Sequence, residues 1–509
     1  MTQIAEYRPG QMDAPSAPDI AQRRVGLEQL AREARRDLAR LNYPPRAWPL
    51  SKALPGGGIA LDVLIVGGGM YGQTAAFALY REGVRNIRVI DRARRGQEGP
   101  WSTYARMEIL RSPKHQIGPD LGVPSLTFRA WHEAQYGADS WGDLYKIHRL
   151  QWLDYLLWVR DLLGLPVENE CELLALEPHG DLIRAELNGP NGRETVVARH
   201  VVLATGREGT GGRHVPQFPS LTCPQGGDDA RVFHSADDID FRRFAGKRLA
   251  ILGANASAFD NAAVALESGA AGVTMYCRRP FLPQVNKARW MGFSGFQYGF
   301  PALDDASRWR LVAYTTAVQM PPPHESVLRC TRHKDFTLRF AEPWHDVQAD
   351  ADGVTVITAK GRQRFDAVVL ATGFTVDIAM RPELAAFRDA MMLWGDRVGP
   401  AEAARNPVAA RFPYLGAGFE FTERKPGACP SLSRLHVISY GAALSHGALA
   451  GDIPGLEPAA VQVAQAISRG IFMDDFARYY DEMTEFEESE LQPTPFFVPR
   501  DRRDAPASE

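Results

Sequence analysis

The chain has 509 residues, enough for two to four domains, and its 45% hydrophobic and 23% charged residues are typical of a globular protein. Its formal net charge of -3 gives no reason to expect nucleic acid or an anionic membrane as a partner. The five cysteines form no C-x-x-C pair, and no apolar run approaches the roughly 20 residues that span a bilayer. We therefore expect a cytoplasmic protein without a disulfide framework and without a metal site.

The N-terminal segment, residues 1–59, is predicted to contain a flexible arm followed by one helix. Residues 1–18 are polar and contain proline and glycine, whereas Ile20–Leu41 has apolar residues at helical spacing. We expect this helix to pack on the body of the protein or on another subunit, so a homo-oligomer is one prediction. A membrane-surface helix is the alternative, but its polar face would carry charges of both signs.

A strand–glycine–helix–strand unit over Asp62–Asp91 predicts a dinucleotide-binding turn. The strand Val63–Val66 is followed by G-x-G-x-x-G, a helix and a second strand, Ile87–Ile90, which ends in an acid. In such a fingerprint the first glycine makes the tight turn, the second lets backbone approach a pyrophosphate, and the third lets helix and strand pack closely. The acid can accept hydrogen bonds from a ribose hydroxyl. The residues concerned are Gly67, Gly69, Gly72 and Asp91.

The segment Arg92–Gly122 is predicted to be a long loop. It is basic, aromatic and broken by glycine and proline, and it contains Trp101 and Met107. Such a segment after the second strand is a candidate to line a flavin and its substrate, and an ordinary covering loop is the alternative. A helix rich in aromatic residues, Tyr145–Leu163, is expected to follow as part of the core.

The hexapeptide Val-Val-Leu-Ala-Thr-Gly occurs twice, as Val201–Gly206 and as Val368–Gly373. A second strand–glycine–helix–strand unit, Arg248–Arg279, lies upstream of the second copy, so the chain contains two diverged copies of one plan. The predicted fold class is α/β, with two dinucleotide-binding, Rossmann-like domains of the two-nucleotide flavoprotein type. Residues 60–215 and 365–509 are assigned to the first domain and 216–364 to the second. Cofactor contacts are predicted at Thr205, Gly206, Thr372 and Gly373.

The ends of the second strands indicate which dinucleotide each domain binds. Asp91 would repel a 2′-phosphate, whereas Arg278 and Arg279 would attract one, so we assign FAD to the first domain and NADPH to the second. The second turn has Asn255 in place of the middle glycine, and we expect it to take a left-handed conformation. The other residues predicted to contact the nucleotide there are Gly253, Ser257 and Ala258.

Two later segments are predicted to lie near the substrate or the flavin. Residues 280–345 show no clear periodicity, and they are interpreted as a substrate-side insertion or a lid. The tail returns to the FAD domain with Ser445-His446-Gly447, Gly451–Gly455 and a helix at Pro458–Arg469. Asp452 is predicted to hold a ribityl hydroxyl, with a helix cap as the alternative.

These motifs together resemble the class B, NADPH-dependent flavin monooxygenases, a group of flavin-containing, Baeyer–Villiger and N-hydroxylating enzymes. The resemblance covers residues 60–475 and rests on G-G-G-M-Y-G, on G-A-N-A-S-A and on the closing Ala371–Phe374. Three stretches are similar to ornithine and lysine N-hydroxylases. They are Met107–Ile109 with Leu121–Trp131, Arg149–Trp158, and Ser445-His446-Gly447, from which His446 is predicted to contact the cofactor.

The resemblance implies that NADPH reduces FAD and that the reduced flavin adds O₂ to form a C4a-(hydro)peroxyflavin, which oxygenates a small substrate. The site would supply position and exclude water, so few catalytic side chains are expected. Arg106, Glu108 and His115 are predicted to tune the flavin or the peroxide, with Glu108 replacing a glutamine of the N-hydroxylating branch. That branch's substrate-carboxylate lysine has no clean equivalent, and Arg111 or Lys114 is predicted to serve instead.

N-hydroxylation of an amine or amino acid is the first hypothesis for the reaction. The alternatives are a Baeyer–Villiger or ring-carbon oxygenase, an NADPH–flavin oxidoreductase without oxygen insertion, and a nucleotide-dependent binding protein. The Baeyer–Villiger signature is only partly present, because His234-Ser235 is there while Asp228, Ala230 and Asp238 occupy its Phe, Gly and aromatic positions. The lack of a C-x-x-C pair argues against a disulfide reductase.

Overall fold

The structure is a computed structural model that describes residues 20–221, 230–447, 451–491 and 494–499. The predicted flexible arm and Asp228 lie outside these ranges. The strands are β1 (Leu61–Val66), β2 (Ile87–Asp91), β3 (Val167–Asn169), β4 (Glu172–His179), β5 (Leu182–Gly189), β6 (Gly192–Leu203), β7 (Gly211–Arg213), β8 (Val232–His234), β9 (Arg248–Leu252), β10 (Gly272–Tyr276), β11 (Phe336–Arg339), β12 (Trp344–Asp350), β13 (Gly353–Thr358), β14 (Gly361–Phe365), β15 (Ala367–Leu370), β16 (Phe374–Val376) and β17 (Leu435–Val437).

The helices are α1 (Ile20–Arg40), α2 (Met70–Arg81), α3 (Phe128–Tyr136), α4 (Ser140–Asp143), α5 (Arg149–Leu163), α6 (Ala256–Glu267), α7 (Lys287–Trp290), α8 (Ser294–Gly299), α9 (Asp305–Val318), α10 (His324–Thr331), α11 (Trp394–Val398), α12 (Pro400–Arg405), α13 (Ala443–His446), α14 (Leu456–Asp474) and α15 (Phe476–Thr484). None of these described helices is both long and apolar enough to cross a membrane.

The first sheet has the strand order β3-β2-β1-β6-β5-β4, with β17 also paired to β6. Strand β6 changes partners along its length. Its first half pairs antiparallel with β5 and its second half pairs parallel with β1. The parallel strands are buried on both faces, which is why their sequences read as continuous apolar runs. Helices α2 and α14 pack together over this sheet.

The second sheet is fully parallel, in the order β11-β10-β9-β15-β8, and strands β12, β13 and β14 form a separate antiparallel sheet. Because β15 lies beside β9, the second sheet extends to Leu370. The boundary predicted at 364/365 therefore falls one strand too early. The chain crosses between the two sheets at β7 and β16, which pair antiparallel side by side.

The structure corrects the start of one predicted helix and adds helices in a segment where none was predicted. The aromatic helix begins at Arg149 and not at Tyr145, because residues before it pair with the loop: Leu110 N–H donates to Ile147 O at 2.7 Å, and Ile109 bridges His148. Residues 280–345, which showed no periodicity, contain four helices and a strand. Helix α9 buries only Arg308 and Trp309, so it has no apolar stripe that a sequence pattern would reveal.

Helix α1 packs on the body of its own chain, as one of the two predicted arrangements. It buries Leu30, Ala34 and Leu38, and it approaches α3 closely at Gly26. A Cβ on Gly26 would lie 1.8 Å from the carbonyl oxygen of Ala134, so only glycine allows this contact.

Candidate functional site

The two nucleotide turns are built in the same way, and the repeated hexapeptide is part of both. Gly67 has φ 108° and Gly253 has φ 119°, a region that favours glycine. A Cβ on Gly67 would lie 2.4 Å from the carbonyl oxygen of Ala204, and a Cβ on Gly253 would lie 2.4 Å from that of Ala371. The hexapeptide occurs in both domains because the carbonyl group of its alanine lies next to the first glycine of each turn.

In the first turn, the three glycines have different reasons to be glycine. A Cβ on Gly72 would lie 1.8 Å from the carbonyl oxygen of Gly67, so helix α2 and strand β1 pack too closely for a side chain there. Gly69 precedes the first residue of α2 with φ −72°, and the nearest atom to its would-be Cβ is 4.0 Å away. The protein itself therefore leaves room at Gly69, and the remaining reason for a glycine is the approach of a ligand.

Asp91 is held firmly at the end of β2. Its carboxylate accepts hydrogen bonds from Gly68 N–H at 2.7 Å and from Ala93 N–H at 2.8 Å. Burial raises the pKa of Asp91, and these two N–H groups oppose that rise. Each carboxylate oxygen keeps a lone pair that can accept a ribose hydroxyl.

The second turn differs from the prediction at its middle position. Asn255 has φ −114°, so it is extended and not left-handed. Its side-chain oxygen accepts a hydrogen bond from Ala256 N–H at 2.9 Å, next to the first turn of α6. The backbone at this position never required a left-handed residue, since Gly69 in the first turn has a negative φ as well. Ala258, at the third glycine position, is fully buried, so α6 leaves space for a methyl group there.

Arg278 lies exposed just after β10, and within the described part of the chain it forms no ion pair. Burial, and then the charge of Arg278, lower the pKa of His214, which places the two side chains near each other. His214 N–H donates to Gly373 O at 2.9 Å, so His214 lies beside the second hexapeptide. The peptide carbonyl of Arg279 accepts from Ala341 N–H, which fixes the backbone of the pair.

At the first domain, two turns meet around Asp452. Its carboxylate pairs with Arg207 at 2.9 Å, and its carbonyl accepts a hydrogen bond from the Tyr71 hydroxyl at 2.8 Å. The side chain makes no cap hydrogen bond, so the alternative role as a helix cap is not seen. Arg207 follows the first hexapeptide and Tyr71 belongs to the glycine turn, so both segments meet the Asp452 turn here.

Three buried hydroxyl groups close to these turns have no hydrogen-bond partner among the residues that the structure describes. They belong to Thr205, Thr210 and Ser439. Thr210 packs against Gly441, where a Cβ would lie 2.4 Å from its hydroxyl oxygen. Buried polar groups are normally satisfied, so these hydroxyls fit a bound cofactor that supplies polar atoms.

His446, predicted to contact the cofactor, is instead enclosed by protein. Its ring is 2% exposed, stacks on Phe419 with ring centroids 3.7 Å apart, and pairs through Nε2 with Gly416 O at 3.0 Å. Burial lowers the pKa of His446 to about 4. Its Nδ1 atom is buried without a partner among the described residues. Trp101 is enclosed in a similar way, edge-on to Trp152.

Arg106, predicted to be catalytic, joins the two domains. Its guanidinium donates to the carbonyl oxygens of Tyr104, Ser235 and Asp237 at 2.7, 3.2 and 2.8 Å, and it lies over the Phe241 ring. Burial lowers the pKa of Arg106 to about 10. With its donors engaged by backbone, Arg106 positions the loop and does not face a substrate.

The two basic residues predicted to bind the substrate, Lys114 and Arg111, lie in different surroundings. Lys114 donates to the carbonyl oxygens of Trp141, Gly142 and Leu144, which uses its three N–H groups to end the short helix α4. His115 is exposed and lies edge-on to Trp141, so it is likewise part of this local arrangement. The ammonium group of Lys114 is thus engaged by backbone carbonyls, whereas the role expected of His115 stays a prediction.

Arg111 lies where the two domains and the insertion meet. It is half-buried and donates to Pro321 O at 2.9 Å, between α9 and α10. Burial lowers the pKa of Arg111, and the charges of Asp452, Glu325 and Asp260 act against that shift. Glu108, three residues earlier, is also half-buried, and its carboxylate has no hydrogen-bond donor among the described residues.

A cavity of about 390 Å³ lies in the insertion, the segment that the sequence indicated to be a substrate-side insertion or a lid. Its walls are Val285, Trp290, Met291, Phe296, Leu311, Tyr314 and Thr315, and its polar side chains are Asn286 and Lys287. The Asn286 Oδ1 atom is buried without a partner among the described residues. The only signal in the sequence was the polar and aromatic run from Asn286 to Trp290.

The same insertion contacts the C-terminal turns of the first domain. Gln297 Nε2 donates to Pro454 O at 3.4 Å, and Arg308 Nη1 donates to Ser445 O at 3.1 Å. Phe300 packs on Gly447, where a Cβ would lie 2.7 Å from the Phe300 ring. The cavity is therefore carried by a segment that docks next to Asp452.

Comparison with known proteins identifies related sequences and folds. The family described as pyridine nucleotide-disulphide oxidoreductase matches residues 64–290. The FAD-dependent urate hydroxylase of Xanthomonas campestris pv. campestris is 41% identical over 451 residues, which cover 89% of this chain and 94% of that protein.

Among solved structures, the ornithine hydroxylase from Pseudomonas aeruginosa has a TM-score of 0.64 at 16% identity and covers 81% of this chain and 100% of its own. The Kutzneria sp. 744 ornithine N-hydroxylase, solved with reduced FAD, NADP⁺ and L-ornithine, has a TM-score of 0.63 at 16% identity and covers 81% and 99%. These neighbours confirm the predicted two-nucleotide fold.

The sequence relative bears on more than the fold, because its identity exceeds 40% over nearly all of both chains. It confirms that the chain is an oxidoreductase that uses FAD, and the predicted pair of FAD and NADPH agrees with the cofactors of the Kutzneria structure. The chain belongs to the family of this FAD-dependent hydroxylase.

Proposed function

We propose that the protein is an FAD- and NADPH-dependent hydroxylase of a small, planar, nitrogen-rich anion, with urate as the first candidate substrate. The observation that carries this proposal is the 41% identity to a urate hydroxylase over nearly the full length of both chains. The finer statement made from the sequence, N-hydroxylation of an amine, becomes the second candidate.

The cavity in the insertion supports a planar anion. Trp290, Phe296 and Tyr314 offer aromatic surface on which a flat ring can stack, and Lys287 supplies positive charge. No carboxylate occurs among the residues that line it, so nothing there would neutralise an ammonium group. Asn286 presents an amide oxygen without a partner, which can accept a ring N–H group.

FAD is proposed to lie across the first turn. The N-terminus of α2 offers free N–H groups to a pyrophosphate, and Asp91 would hold the adenosine ribose. Thr205, Thr210 and Ser439 would give their unpartnered hydroxyls to the cofactor, next to the Arg207–Asp452 pair. When bound, FAD supplies the electron transfer and oxygen chemistry that side chains lack.

NADPH is proposed to lie across the second turn, between Gly253 and the N-terminus of α6. Arg278 is positioned at the end of β10, where a 2′-phosphate would lie, and it forms no ion pair with any described residue. His214 lies beside it and beside Gly373. This arrangement favours NADPH over NADH.

The chain's own residues would position the substrate and exclude water. Arg111, tethered to Pro321 O, would place a positive charge between the insertion and Asp452. The insertion, docked on Ser445, Gly447 and Pro454, would close the site from the C-terminal side. Exclusion of water protects reactive oxygen chemistry from side reactions.

The second candidate, N-hydroxylation of an amine, is favoured by the stretches that are similar to ornithine and lysine N-hydroxylases. The structure gives the predicted Arg149–Trp158 stretch as part of helix α5. It also gives the Ser445-His446-Gly447 turn a buried, supporting position. The two candidates differ in product and are separated by one assay.

The assay follows NADPH and O₂ consumption by the FAD-loaded protein with urate, ornithine, lysine or cadaverine, and measures hydrogen peroxide and product. We expect urate to accelerate NADPH oxidation with little peroxide and one hydroxylated product per NADPH. A hydroxylamine product from an amine, with urate giving only peroxide, would support the second candidate. Peroxide equal to NADPH with every substrate would contradict both.

A matched pair of variants connects the activity to the cavity. Trp290→Ala should raise the KM for the substrate about tenfold, since ring stacking is worth about 1 kcal/mol or more. Phe281→Ala, an equally exposed aromatic residue of the insertion outside the cavity wall, should leave KM unchanged. Equal effects of the two changes would remove the cavity from the proposal.

A further inference from the structure

The C-terminal helix α15 carries an exposed apolar face. Phe476, Tyr480 and Met483 follow one another at i, i+4 and i+7, and they are 51%, 53% and 63% exposed. Phe472 and Met473 extend the face at the end of α14, and Phe486 extends it beyond α15. Exposed apolar side chains that cluster on one helix face are a feature of interaction sites.

This face is not needed to attach α15 to its own chain. No residue of α15 is buried, and the helix is fastened mainly through Tyr479, whose hydroxyl donates to Trp48 O at 3.0 Å. Tyr479 also stacks on Phe472 with ring centroids 5.4 Å apart. The side chains of Phe476, Tyr480 and Met483 therefore remain available.

The charge around the face is negative, which narrows the choice of partner. Asp481, Glu482, Glu485, Glu487 and Glu488 are exposed and form no ion pair among the described residues. An anionic lipid surface would be repelled by this segment. Two copies of the segment would also repel each other, so a partner with positive charge is required.

Helix α1 offers that positive charge. Val25, Gln29, Arg32 and Arg36 follow one another on one face, and all four are exposed. Glu28, Glu33 and Asp37 also lie on α1, but its six arginines against these three acids leave the helix with a net charge of +3. Arg32, Arg35 and Arg36 have no ion-pair partner in the described part of the chain. Val25 is 61% exposed, which gives this basic face an apolar contact point as well.

We propose that the apolar, acidic face of α15 docks on the basic face of α1 of a second copy of this chain. A two-fold axis would make each copy give both surfaces and would form the contact twice. The segment after α1 leads to Trp48, which contacts Tyr479 of α15. Twofold repetition helps reach the area that a stable dimer needs, about 1,200 Å² or more.

The test measures the mass of the FAD-loaded protein by analytical ultracentrifugation over a wide range of concentrations. The wild type should sediment at twice the chain mass of 56.3 kDa. Phe476→Glu combined with Met483→Glu should give a monomer, and so should Arg32→Glu combined with Arg36→Glu. Val408→Glu, at an exposed apolar residue elsewhere, should leave the dimer unchanged.

A charge exchange distinguishes this pairing from a general loss of association. Adding Glu485→Arg and Glu487→Arg to the Arg32→Glu, Arg36→Glu variant should restore the dimer. A monomeric wild type at every concentration, or a dimer that survives both double changes, would overturn the proposal. Sedimentation of the wild type with phosphatidylglycerol vesicles would also overturn it. Flavin content and circular dichroism of each variant control for folding.

Discussion

At the scale of single residues, the first glycine of each nucleotide turn is fixed by the peptide that crosses it. Gly67 and Gly253 combine a positive φ with a carbonyl oxygen that leaves no space for a methyl group. Gly69 has neither constraint, since its φ is negative and its Cβ position is open. The three glycines of one motif therefore serve folding and binding separately.

This difference predicts opposite results for two substitutions. Gly67→Ala should destabilise the protein by about 1–3 kcal/mol from backbone strain alone, with the clash against Ala204 added. Gly69→Ala should fold normally and lose flavin, because the added methyl group points to where the pyrophosphate would approach. Thermal unfolding and the flavin-to-protein absorbance ratio measure both. Yellow, FAD-replete Gly69→Ala protein would refute the assignment of FAD to the first turn.

Arg278 is the second residue whose role in binding can be tested by a single substitution. Arg278→Ala should raise the KM for NADPH about tenfold or more and leave that for NADH nearly unchanged, because only NADPH carries a 2′-phosphate. Arg242→Ala is the matched control, since Arg242 is an exposed arginine near the same sheet that pairs with Asp240. Steady-state kinetics with both coenzymes give the comparison. An equal effect on the two would argue for another phosphate contact.

At the scale of elements, two arginines, one on each side, attach the loop between β2 and α3 to the second domain. Arg106 donates to carbonyl oxygens around β8 and the following turn, and Arg329 of α10 donates to Arg106 O at 3.1 Å. Arg329 also pairs with Glu267 of α6 at 2.6 Å. The loop is therefore attached to both domains by hydrogen bonds. Its sequence did not reveal this.

The variant Arg106→Lys tests this positioning role. Lysine keeps the charge but cannot span several carbonyls, so we expect a loss of about 2–3 kcal/mol and faster hydrogen exchange in the loop and after β8. The rate of NADPH oxidation per folded, FAD-loaded molecule should change little. A large loss of rate with unchanged stability and exchange would show instead that Arg106 acts directly in catalysis.

At the scale of the whole molecule, buried histidines connect distant segments of the first domain. His200 of β6 and His436 of β17 pair through Nδ1 and Nε2 at 3.0 Å, and His436 Nδ1 lies 2.8 Å from Gly418 O. Burial lowers the pKa of His436 and of His446 to about 4, and it lowers the pKa of His200 well below its usual value. Both ring nitrogens of His200 and of His436 are engaged, so neither ring can accept a proton without losing a hydrogen bond. A proton on His446 would be buried on Nδ1, which has no partner among the described residues.

The expected consequence is a loss of stability in mild acid. In the unfolded chain these histidines bind protons below about pH 6.5, whereas in the folded protein they stay neutral down to about pH 4. Stability is therefore fully present above pH 6.5 and falls as the pH drops toward 4, by about 3 kcal/mol for His446 alone. Urea unfolding at several pH values measures this. His446→Phe should flatten the dependence, and a dependence unchanged in that variant would contradict the assignment.

The sequence by itself determined the parts of this protein that repeat or follow a local period. The two glycine turns, the strands around them, the acid at Asp91 and the arginine at Arg278 were all readable, because each depends on a spacing within one short segment. The family resemblance followed from the order of those segments, and it is confirmed by a relative that covers nearly the whole chain.

The tertiary structure decided what the remaining polar side chains do. Arg106, Lys114, His115 and His446 had the right chemistry for a site, but their donors and rings are engaged by backbone and aromatic groups far away in sequence. Helix α9 was not predicted because it buries few residues, and helix α10 because most of the residues it buries are polar, so no apolar period marks either one. Local spacing fixes the backbone plan, whereas the partner of a side chain depends on which segments folding brings together.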